Sequence, residues 1–197
     1  MKALIVGATG ATGIDLLHLL LQDDTFDEVV IFVRRNPGIS HKKLQVNIID
    51  FDIPEAWQDL VTGDVLFSCL GTTLKDAGSK EAQWKIDYDY QLQFAQAARN
   101  NNVLHYILVF SRFASPKALF FYPRMKGQLE KSVEALGFPR LSIFNPPVLV
   151  RKGSKRMGEL IGLKAIQLLN KAGLFLNSKP LRTEELAQAM IDSAKLR

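Results

Sequence analysis

The sequence predicts a single α/β domain whose parallel sheet is doubly wound, with helices on both of its faces. Short apolar runs, typical of buried parallel strands, alternate with segments whose apolar residues recur at helical spacing. A glycine-rich turn directly follows the first apolar run. At 197 residues the chain is long enough for one domain with a full core and short for two, so we assign residues 1–197 to one domain.

The first strand and the turn after it carry the clearest signal. An apolar run at residues 3–6 leads into Gly7-x-x-Gly10-x-x-Gly13, and a helical pattern follows. Gly7 can adopt the positive φ of a tight turn, Gly10 allows close approach of a pyrophosphate, and Gly13 lets the helix pack on the strand. The helix N-terminus offers free N–H groups and a positive dipole end to an anion.

This context of strand, glycine turn and helix predicts a dinucleotide-binding Rossmann fold. The alternative is a plain βα turn in another α/β fold. The predicted cofactor contacts of the turn are Gly7, Thr9, Gly10, Ala11, Thr12 and Gly13.

The second predicted strand, Glu28–Val33, ends in Arg34 and Arg35. Many NAD-binding domains hold the ribose 2′-hydroxyl with an acid at this tip. Asp27 and Glu28, the nearest acids, lie at the start of the strand and therefore face the opposite edge of the sheet. A guanidinium at the tip can instead bind a 2′-phosphate, so we predict NADPH in preference to NADH. The alternative is a solvated basic turn.

The third predicted strand spans residues 44–49 and ends in Asp50-Phe51-Asp52. We expect Phe51 to pack on an adenine ring. For Asp50, an acceptor role for the adenine amino group and a structural role are equally supported. Asp52 is predicted to be the N-cap of a short helix that Pro54 opens.

The fourth predicted strand, residues 64–69, lies beside the first strand, where the order of a doubly wound sheet reverses and ligands bind. Gly71, in the loop after it, permits close approach of a ribose. A polar loop is predicted at 75–80 and a long helix at 81–101, in which Trp84 and Tyr88 are assigned to the core. The predicted cofactor contacts of this region are Cys69, Leu70, Gly71 and Thr72.

The fifth predicted strand, residues 103–110, ends in Ser111. Tyr122 and Lys126 follow at positions i and i+4. They therefore share one face of a helix, which is expected to end at Gly137.

The remaining elements close the domain. A sixth strand at 141–144 leads into Asn145-Pro146-Pro147-Val148, where two prolines end regular strand structure. Beyond it we expect a basic loop at 151–156, an apolar helix at 158–176, and a closing helix whose capping signature begins at Thr183.

Composition excludes several classes of function. The net charge of +5 and the pI of about 9.3 suit an anionic ligand, but the basic residues are too spread for a nucleic-acid surface. The single cysteine, Cys69, excludes an internal disulfide and a cysteine-rich zinc site, and the three histidines show no ligand spacing. No segment resembles a secretory signal or a membrane span. We therefore expect a cytoplasmic protein without a metal or a nucleic-acid partner.

Three separated motifs together resemble the short-chain dehydrogenase/reductase superfamily: the glycine motif at 7–13, Ser111, and Tyr122-x-x-x-Lys126. The glycine spacing is similar to that of its extended and atypical branches, and the short length favours an atypical member. Residues 121–130 and 136–146 resemble a narrower group, the Tat-interacting-protein-30-like, NADPH-binding oxidoreductases and their bacterial relatives. Residues that also fit this group are Leu70-Gly71-Thr72-Thr73, Ala77-Gly78-Ser79 and Asp87.

The resemblance implies a role for each matching residue. Tyr122 would be the general acid that protonates a carbonyl oxygen as hydride reaches the carbon, and Ser111 would hydrogen-bond that oxygen. Lys126 would hold the nicotinamide ribose and lower the pKa of Tyr122 with its positive charge. The other implied contacts are Arg34 on the 2′-phosphate, Asp50 and Phe51 on the adenine, and Pro146 and Val148 near the nicotinamide amide. The sequence departs from the family at Arg112-Phe113, which bears on the substrate side.

Two hypotheses follow from the residues and the resemblance. The first is an NADPH-dependent reductase that acts on a small carbonyl or alcohol substrate through Ser111, Tyr122 and Lys126. The alternative is a non-catalytic NADPH-binding module that senses redox state or regulates a partner protein. The candidate segments for a substrate lid are residues 72–80 and residues 151–180. Contact of the second segment with a membrane surface or a partner is a further idea, but we favour a helix that covers the sheet or a substrate pocket.

Overall fold

The computed structural model describes residues 1–110, 114–146, 149–150 and 180–196. The strands are β1 (Lys2–Val6), β2 (Glu28–Val33), β3 (Leu44–Ile48), β4 (Val65–Ser68), β5 (His105–Val109), β6 (Arg140–Phe144), β7 (Leu149–Val150) and β8 (Leu181–Arg182). The helices are α1 (Ala11–Gln22), α2 (Leu74–Ala77), α3 (Lys80–Trp84), α4 (Tyr90–Asn100), α5 (Phe121–Glu134) and α6 (Thr183–Lys195). Six parallel strands form one sheet in the order β3-β2-β1-β4-β5-β6, and β7 pairs with β8.

The six-stranded sheet is buried on both faces because its strands alternate side chains between two apolar cores. In β1, Ala3 and Ile5 pack in the core that α1 and α6 cover. Leu4 and Val6 pack in the core that α4 and α5 cover. The carboxyl ends of all six strands, with the loops that follow them, therefore meet at one edge of the sheet.

The predicted fold class is confirmed, and each strand of the sheet lies within two residues of its predicted bounds. The polar loop predicted at 75–80 is wrong, because residues Leu74–Ala77 form α2. Thr73 caps this short helix: its hydroxyl oxygen accepts the N–H of Asp76 at 3.1 Å. Gly78 ends the helix with a φ of +85°. Side-chain capping overrides the polar composition of the segment.

The long helix predicted at 81–101 is divided by a π-helical turn at Lys85–Asp89. An extra residue in a turn rotates the side chains on either side of it relative to one another. Trp84 is consequently half-buried on the outer surface instead of in the core. At this position its ring centre lies 4.7 Å from that of Tyr88 and 6.3 Å from that of Phe121.

The closing helix begins where it is predicted, but Thr183 is not its cap. Arg182 occupies the N-cap position, and its backbone N–H donates to the carboxylate of Glu185 at 3.3 Å. Thr183 is the first helical residue and is buried. The predicted basic loop at 151–156 and the predicted helix at 158–176 lie outside the described residues.

A buried polar chain fastens α6 to the sheet. His105, only 3% exposed, shares a hydrogen bond of 2.8 Å between its Nε2 and the hydroxyl of Ser142. Ser142 in turn shares one of 2.9 Å with Ser193 of α6. Arg140 donates to the carbonyl of Ser193 at 3.0 Å. Burial, together with the positive charge of Arg140, lowers the pKa of His105 to about 4.

This lowered pKa predicts acid sensitivity. Between pH 6.5 and about 4 the unfolded chain takes up a proton on His105 that the folded protein resists, so stability falls as the pH falls. The native protein loses stability between pH 7.5 and pH 5. We expect this loss to be smaller by about 1–2 kcal/mol in His105→Gln, which lacks the titrating imidazole. Urea denaturation at both pH values measures this loss. An identical loss in the variant and the native protein would contradict the prediction.

Candidate functional site

The turn between β1 and α1 has a backbone that only glycine fits. Gly7 has a φ of +83°, and a Cβ placed on it would lie 2.5 Å from the carbonyl carbon of Cys69. A Cβ on Gly13 would overlap the carbonyl oxygen of Gly7, so α1 can approach β1 closely only with glycine there. The N–H of Gly10 donates to the Gly7 carbonyl at 3.0 Å and closes the turn.

The start of α1 is open to an anion. Gly10 occupies the N-cap position, no side chain caps the helix, and no acidic residue lies in its first turn. The first backbone donors of a helix have no partner within the helix, and its dipole places partial positive charge at this end. A phosphate group is a natural ligand for such an end.

A cleft of about 230 Å³ lies beside this helix end, between the tips of β1 and β4. Its lining contains predicted cofactor contacts from three separate loops. The lining residues are Gly7, Thr9, Gly10, Arg34, Phe51, Cys69, Leu70, Gly71, Thr72, Ile86 and Tyr90. β1 and β4 are the neighbours at which the sheet order reverses, which is where open α/β sheets bind ligands.

The tip of β2 opens into an adjoining pocket. Arg34 and Arg35 line it with Thr9, and Arg34 and Thr9 also line the main cleft. Both arginines are exposed, and no carboxylate in the described part of the chain forms an ion pair with either. Asp27 and Glu28 lie at the opposite end of the strand, where Asp27 pairs with the N-terminal amine at 2.7 Å and Glu28 with Lys2 at 2.9 Å.

The loop after β3 places its residues differently from the prediction. Phe51 is only 6% exposed, lines the cleft, and has its ring 5.2 Å from that of Tyr90. Asp50 is exposed and absent from the cleft lining, and its carboxylate accepts the N–H of Asp52 at 3.0 Å. This contact is the structural role of Asp50, and its role as an acceptor for the adenine amino group stays a prediction.

Asp52 is not the helix cap that the sequence predicts. Its carboxylate accepts the hydroxyl of Tyr90 at 2.6 Å and pairs with Lys85 at 2.7 Å. Hydrogen bonds from both groups lower the pKa of Asp52. These partners come from the helical segment after β4. Contacts with a distant part of the chain therefore replace the local capping interaction that the sequence predicts for Asp52.

Two cleft residues were missed by sequence reasoning, Ile86 and Tyr90. Their spacing of four was the available signal, because it places both on one helix face. The prediction assigned the buried face to Trp84 and Tyr88. The π-helical turn changes which residues face inward, and the sequence pattern does not reveal that turn.

Tyr122 and Lys126 both lie on α5, as predicted, but their surroundings differ. Lys126 is 2% exposed, with its Nζ 5.4 Å from the ring centre of Phe110. Burial lowers the pKa of Lys126, and the negative charge of Asp87 opposes this effect. Tyr122 is 37% exposed.

The expected lowering of the Tyr122 pKa by Lys126 is not seen. Burial and the negative charge of Asp87 raise the pKa of Tyr122 to about 12. Among the described residues, Asp87, to which sequence reasoning assigned no role, is therefore the charged group that acts on both Tyr122 and Lys126. The phenol of Tyr122 is protonated at neutral pH.

Several predicted site residues lie outside the described part of the chain: Ser111, Arg112, Phe113, Pro147 and Val148. Ala11, Thr12 and Gly13 lie at the helix start, but they are not among the cleft lining residues. Pro146 is partly buried just beyond β6. The roles of Ser111, Pro146 and Val148 stay predictions.

The fold and the cleft together define a class of protein. A parallel sheet in the order 3-2-1-4-5-6, a glycine turn, an uncapped helix start and a cleft at the strand-order reversal are the features of dinucleotide-binding Rossmann proteins. The residues present fit such a ligand, because an open helix end, apolar walls and solvent-exposed arginines line adjoining cavities.

The chain belongs to the NAD(P)H-binding family, which matches residues 7–135. It is 34% identical over 200 residues to protein FMP52, mitochondrial, of Meyerozyma guilliermondii, covering 98% of this chain and 85% of that protein. It is 34% identical over 165 residues to protein HTATIP2 of Rattus norvegicus, covering 81% and 68%. These relatives confirm the resemblance to the atypical, Tat-interacting-protein-30-like group.

A solved structure shows the same fold. The enzyme WbmH of Bordetella bronchiseptica, in complex with NAD+, matches with a TM-score of 0.73 at 18% identity. The match covers 98% of this chain and 71% of that one. At this identity the likeness supports the Rossmann architecture and leaves the reaction undefined.

The expectation of a cytoplasmic protein is wrong. The FMP52 relatives of Meyerozyma guilliermondii, Scheffersomyces stipitis and Saccharomyces cerevisiae are named mitochondrial. The expectation rested on composition and on apolar run length, and neither property distinguishes cellular compartments. Within the described residues, no helix combines the length and apolarity needed to cross a membrane.

Proposed function

We propose that this protein is an NADPH-dependent oxidoreductase that acts on a small carbonyl or alcohol substrate. The observation that carries the proposal is the position of Arg34, which lines both the main cleft and the pocket at the tip of β2. A guanidinium there lies within the same connected cavity as the glycine turn. A 2′-phosphate distinguishes NADPH from NADH, and arginine is the side chain best suited to bind it.

The α5 residues supply the proposed proton chemistry. Bound NADPH would supply a hydride to a carbonyl carbon. Tyr122 holds its proton at neutral pH because its pKa is about 12, so it is in the form that donates to a carbonyl oxygen. Lys126 lies one turn further along the same helix face and is buried. Ser111, just beyond β5, is proposed to hydrogen-bond the substrate oxygen.

The protonated phenol is the form that carbonyl reduction uses. Reduction of a carbonyl consumes the tyrosine proton, whereas oxidation of an alcohol requires the phenolate to accept one. Burial and Asp87 both oppose the phenolate, so at neutral pH the phenol carries the proton that reduction needs. A screen of small aldehydes, ketones and quinones with NADPH, followed by absorbance at 340 nm, tests this proposal. Absence of turnover across all three classes would contradict it.

Arg34→Ala is expected to weaken NADPH binding selectively. A hydrogen bond to a charged group contributes about 1.5–3 kcal/mol, so NADPH affinity should fall by about tenfold to a hundredfold. NADH affinity should stay unchanged, because NADH has no 2′-phosphate. Calorimetric titration with each dinucleotide measures both values.

The matched control for this prediction is Lys42→Ala, which removes an exposed positive charge outside both cavities. It should leave both affinities unchanged. Equal loss of NADPH and NADH affinity in Arg34→Ala would show a general effect on the cleft and would contradict a 2′-phosphate contact.

A non-catalytic NADPH-binding module is the second candidate, and one observation favours it: Lys126 does not lower the pKa of Tyr122. Cys69 is the chain's single cysteine, and burial raises the pKa of its thiol to about 12, so the reactive thiolate is scarce. A redox-sensing module would therefore respond to the redox state of the bound nicotinamide and not to oxidation of this thiol. NADPH binding without turnover on any substrate class would support this candidate.

A further inference from the structure

Tyr90 separates two cavities. It is the first residue of α4 and lines the main cleft of about 230 Å³. It also lines an adjoining groove of about 530 Å³, and of the described residues it alone belongs to both linings. A side chain with open space on two sides lacks the dense packing that fixes a core residue. Other contacts must therefore hold its ring.

Two charged side chains fix the Tyr90 ring. Its hydroxyl donates to Oδ1 of Asp52 at 2.6 Å, and the Nζ of Lys85 lies 2.7 Å from the same oxygen. This Nζ is also 5.8 Å from the centre of the Tyr90 ring, within range of a cation–π contact. Burial and the hydrogen bond to Asp52 raise the pKa of Tyr90, so the phenol keeps the proton that it donates. We call these three residues the Tyr90 clamp.

The Tyr90 clamp joins two segments that are far apart in the chain. Asp52 belongs to the loop after β3, whereas Lys85 and Tyr90 belong to the helical segment after β4. Asp52 and Lys85 are each half-exposed, and an exposed ion pair contributes little stability by itself. The orientation that the clamp gives to the Tyr90 ring therefore explains it better than a contribution to folding.

The Tyr90 clamp lies at the end of the cleft that is remote from α5. The strand order β3-β2-β1-β4-β5-β6 places the loop after β3 on one side of the glycine turn. The loop after β5, which leads to α5, lies on the other side. A dinucleotide with its pyrophosphate at the start of α1 and its nicotinamide towards Tyr122 would then extend its adenine towards β3.

Phe51 offers little surface to a base at this end of the cleft. The sequence predicts that Phe51 packs on the adenine, but its side chain is only 6% exposed. Its ring centre lies 5.2 Å from that of Tyr90 and 5.6 Å from that of Phe94. Tyr90 is partly exposed in the cleft wall. Because aromatic rings bind bases by stacking, the accessible ring of Tyr90 suits this role better than the buried ring of Phe51.

We propose that Tyr90 determines the binding of the adenine base, with its ring held as a stacking surface by Asp52 and Lys85. The inference rests on the proposed function only in taking a nicotinamide dinucleotide as the ligand. Adenine is common to NADPH and NADH, so the clamp acts on both, independently of the 2′-phosphate and of the reaction. The Tyr90 hydroxyl is already bonded to Asp52, so the ring contacts the face of the base. A ring that is fixed before binding costs less to order when the base arrives.

ADP-ribose is the probe, because it carries the adenine and the pyrophosphate but neither the nicotinamide nor the 2′-phosphate. Tyr90→Leu removes the ring and should weaken ADP-ribose binding by about tenfold to a hundredfold, with similar losses for NADPH and NADH. Tyr90→Phe keeps the ring and loses the bond to Asp52, so the loss should be about threefold to tenfold. Tyr88→Phe, which removes a hydroxyl outside the cleft lining, should change these affinities by less than about twofold. Calorimetric titration of the full-length protein measures each value.

A double-mutant cycle tests the bond between Tyr90 and Asp52. Asp52→Ala leaves the ring in place and should weaken ADP-ribose binding by about as much as Tyr90→Phe. The combined variant should lose no more than either single variant, because both changes remove the same hydrogen bond. Additive losses would overturn the clamp, since they would show that the two residues act separately. These variants keep the proposal testable if Tyr90→Leu does not fold.

A magnetic resonance measurement reports the contact directly. In full-length protein with ¹³C-labelled tyrosine, assigned through Tyr90→Phe, the Tyr90 ring protons should show NOEs to H2 or H8 of the adenine of bound ADP-ribose. A purely structural role predicts a lower free energy of unfolding in Tyr90→Leu without these NOEs. Their absence, or unchanged ADP-ribose affinity in Tyr90→Leu, would overturn the proposal and leave the proposed reductase function standing. Wild-type protein that binds neither ADP-ribose nor NADPH nor NADH would overturn both.

Discussion

Replacing Tyr122 with phenylalanine is expected to lower kcat/KM for carbonyl reduction by about 10²- to 10⁴-fold, the usual contribution of a positioned acid. The ring is kept and only the hydroxyl is lost, so the partly exposed side chain should still pack on α5. NADPH affinity should stay within about twofold, because Tyr122 is absent from the cleft lining. Stopped-flow absorbance at 340 nm and calorimetric titration measure the two quantities.

Tyr88→Phe is the matched control. It removes the same hydroxyl from a tyrosine to which no proton-donor role is assigned and whose hydroxyl shares a hydrogen bond with Ser132. Turnover should be retained in this variant. Wild-type turnover in Tyr122→Phe would show that another group donates the proton, and equal loss in both variants would indicate a structural effect.

Gly13→Ala is expected to destabilise the protein and weaken NADPH binding together. Alanine is the better helix former by about 1 kcal/mol, but its Cβ would overlap the Gly7 carbonyl oxygen and lie 2.9 Å from the Cα of Ala8. These are backbone atoms, so relief requires α1 to move away from β1. Such overpacking costs about 1–3 kcal/mol in the free energy of unfolding, which urea denaturation measures.

Gly10→Ala separates the two effects. Gly10 has an ordinary φ of −76°, and the nearest atom to an added Cβ is the Gly7 oxygen at 3.2 Å. Stability should therefore change little, whereas a methyl group at the open helix end should weaken NADPH binding by about tenfold. Unchanged NADPH affinity in both glycine variants would place the pyrophosphate elsewhere.

The sequence by itself determined the sheet and one half of the cleft. Apolar runs identified all six strands. The signal is strongest for β1, β2 and β4, which are nearly wholly buried, because a strand covered on both faces must be apolar along most of its length. The glycine turn was also readable, since a positive φ at Gly7 and a close approach at Gly13 admit no other residue. Arg34 follows from its place after β2, because the carboxyl ends of parallel strands meet at one edge.

Only the tertiary structure decided the other half of the cleft. A π-helical turn selects which residues of the 80–100 segment face inward, and it brings Ile86 and Tyr90 to the cleft. It also buries Asp87, whose negative charge acts on Lys126 and Tyr122 although it lies more than thirty residues earlier in the chain. The family resemblance implied that Lys126 would lower the pKa of Tyr122. The fold raised that pKa instead, because burial and charge depend on what packs nearby in space and not on separation in sequence.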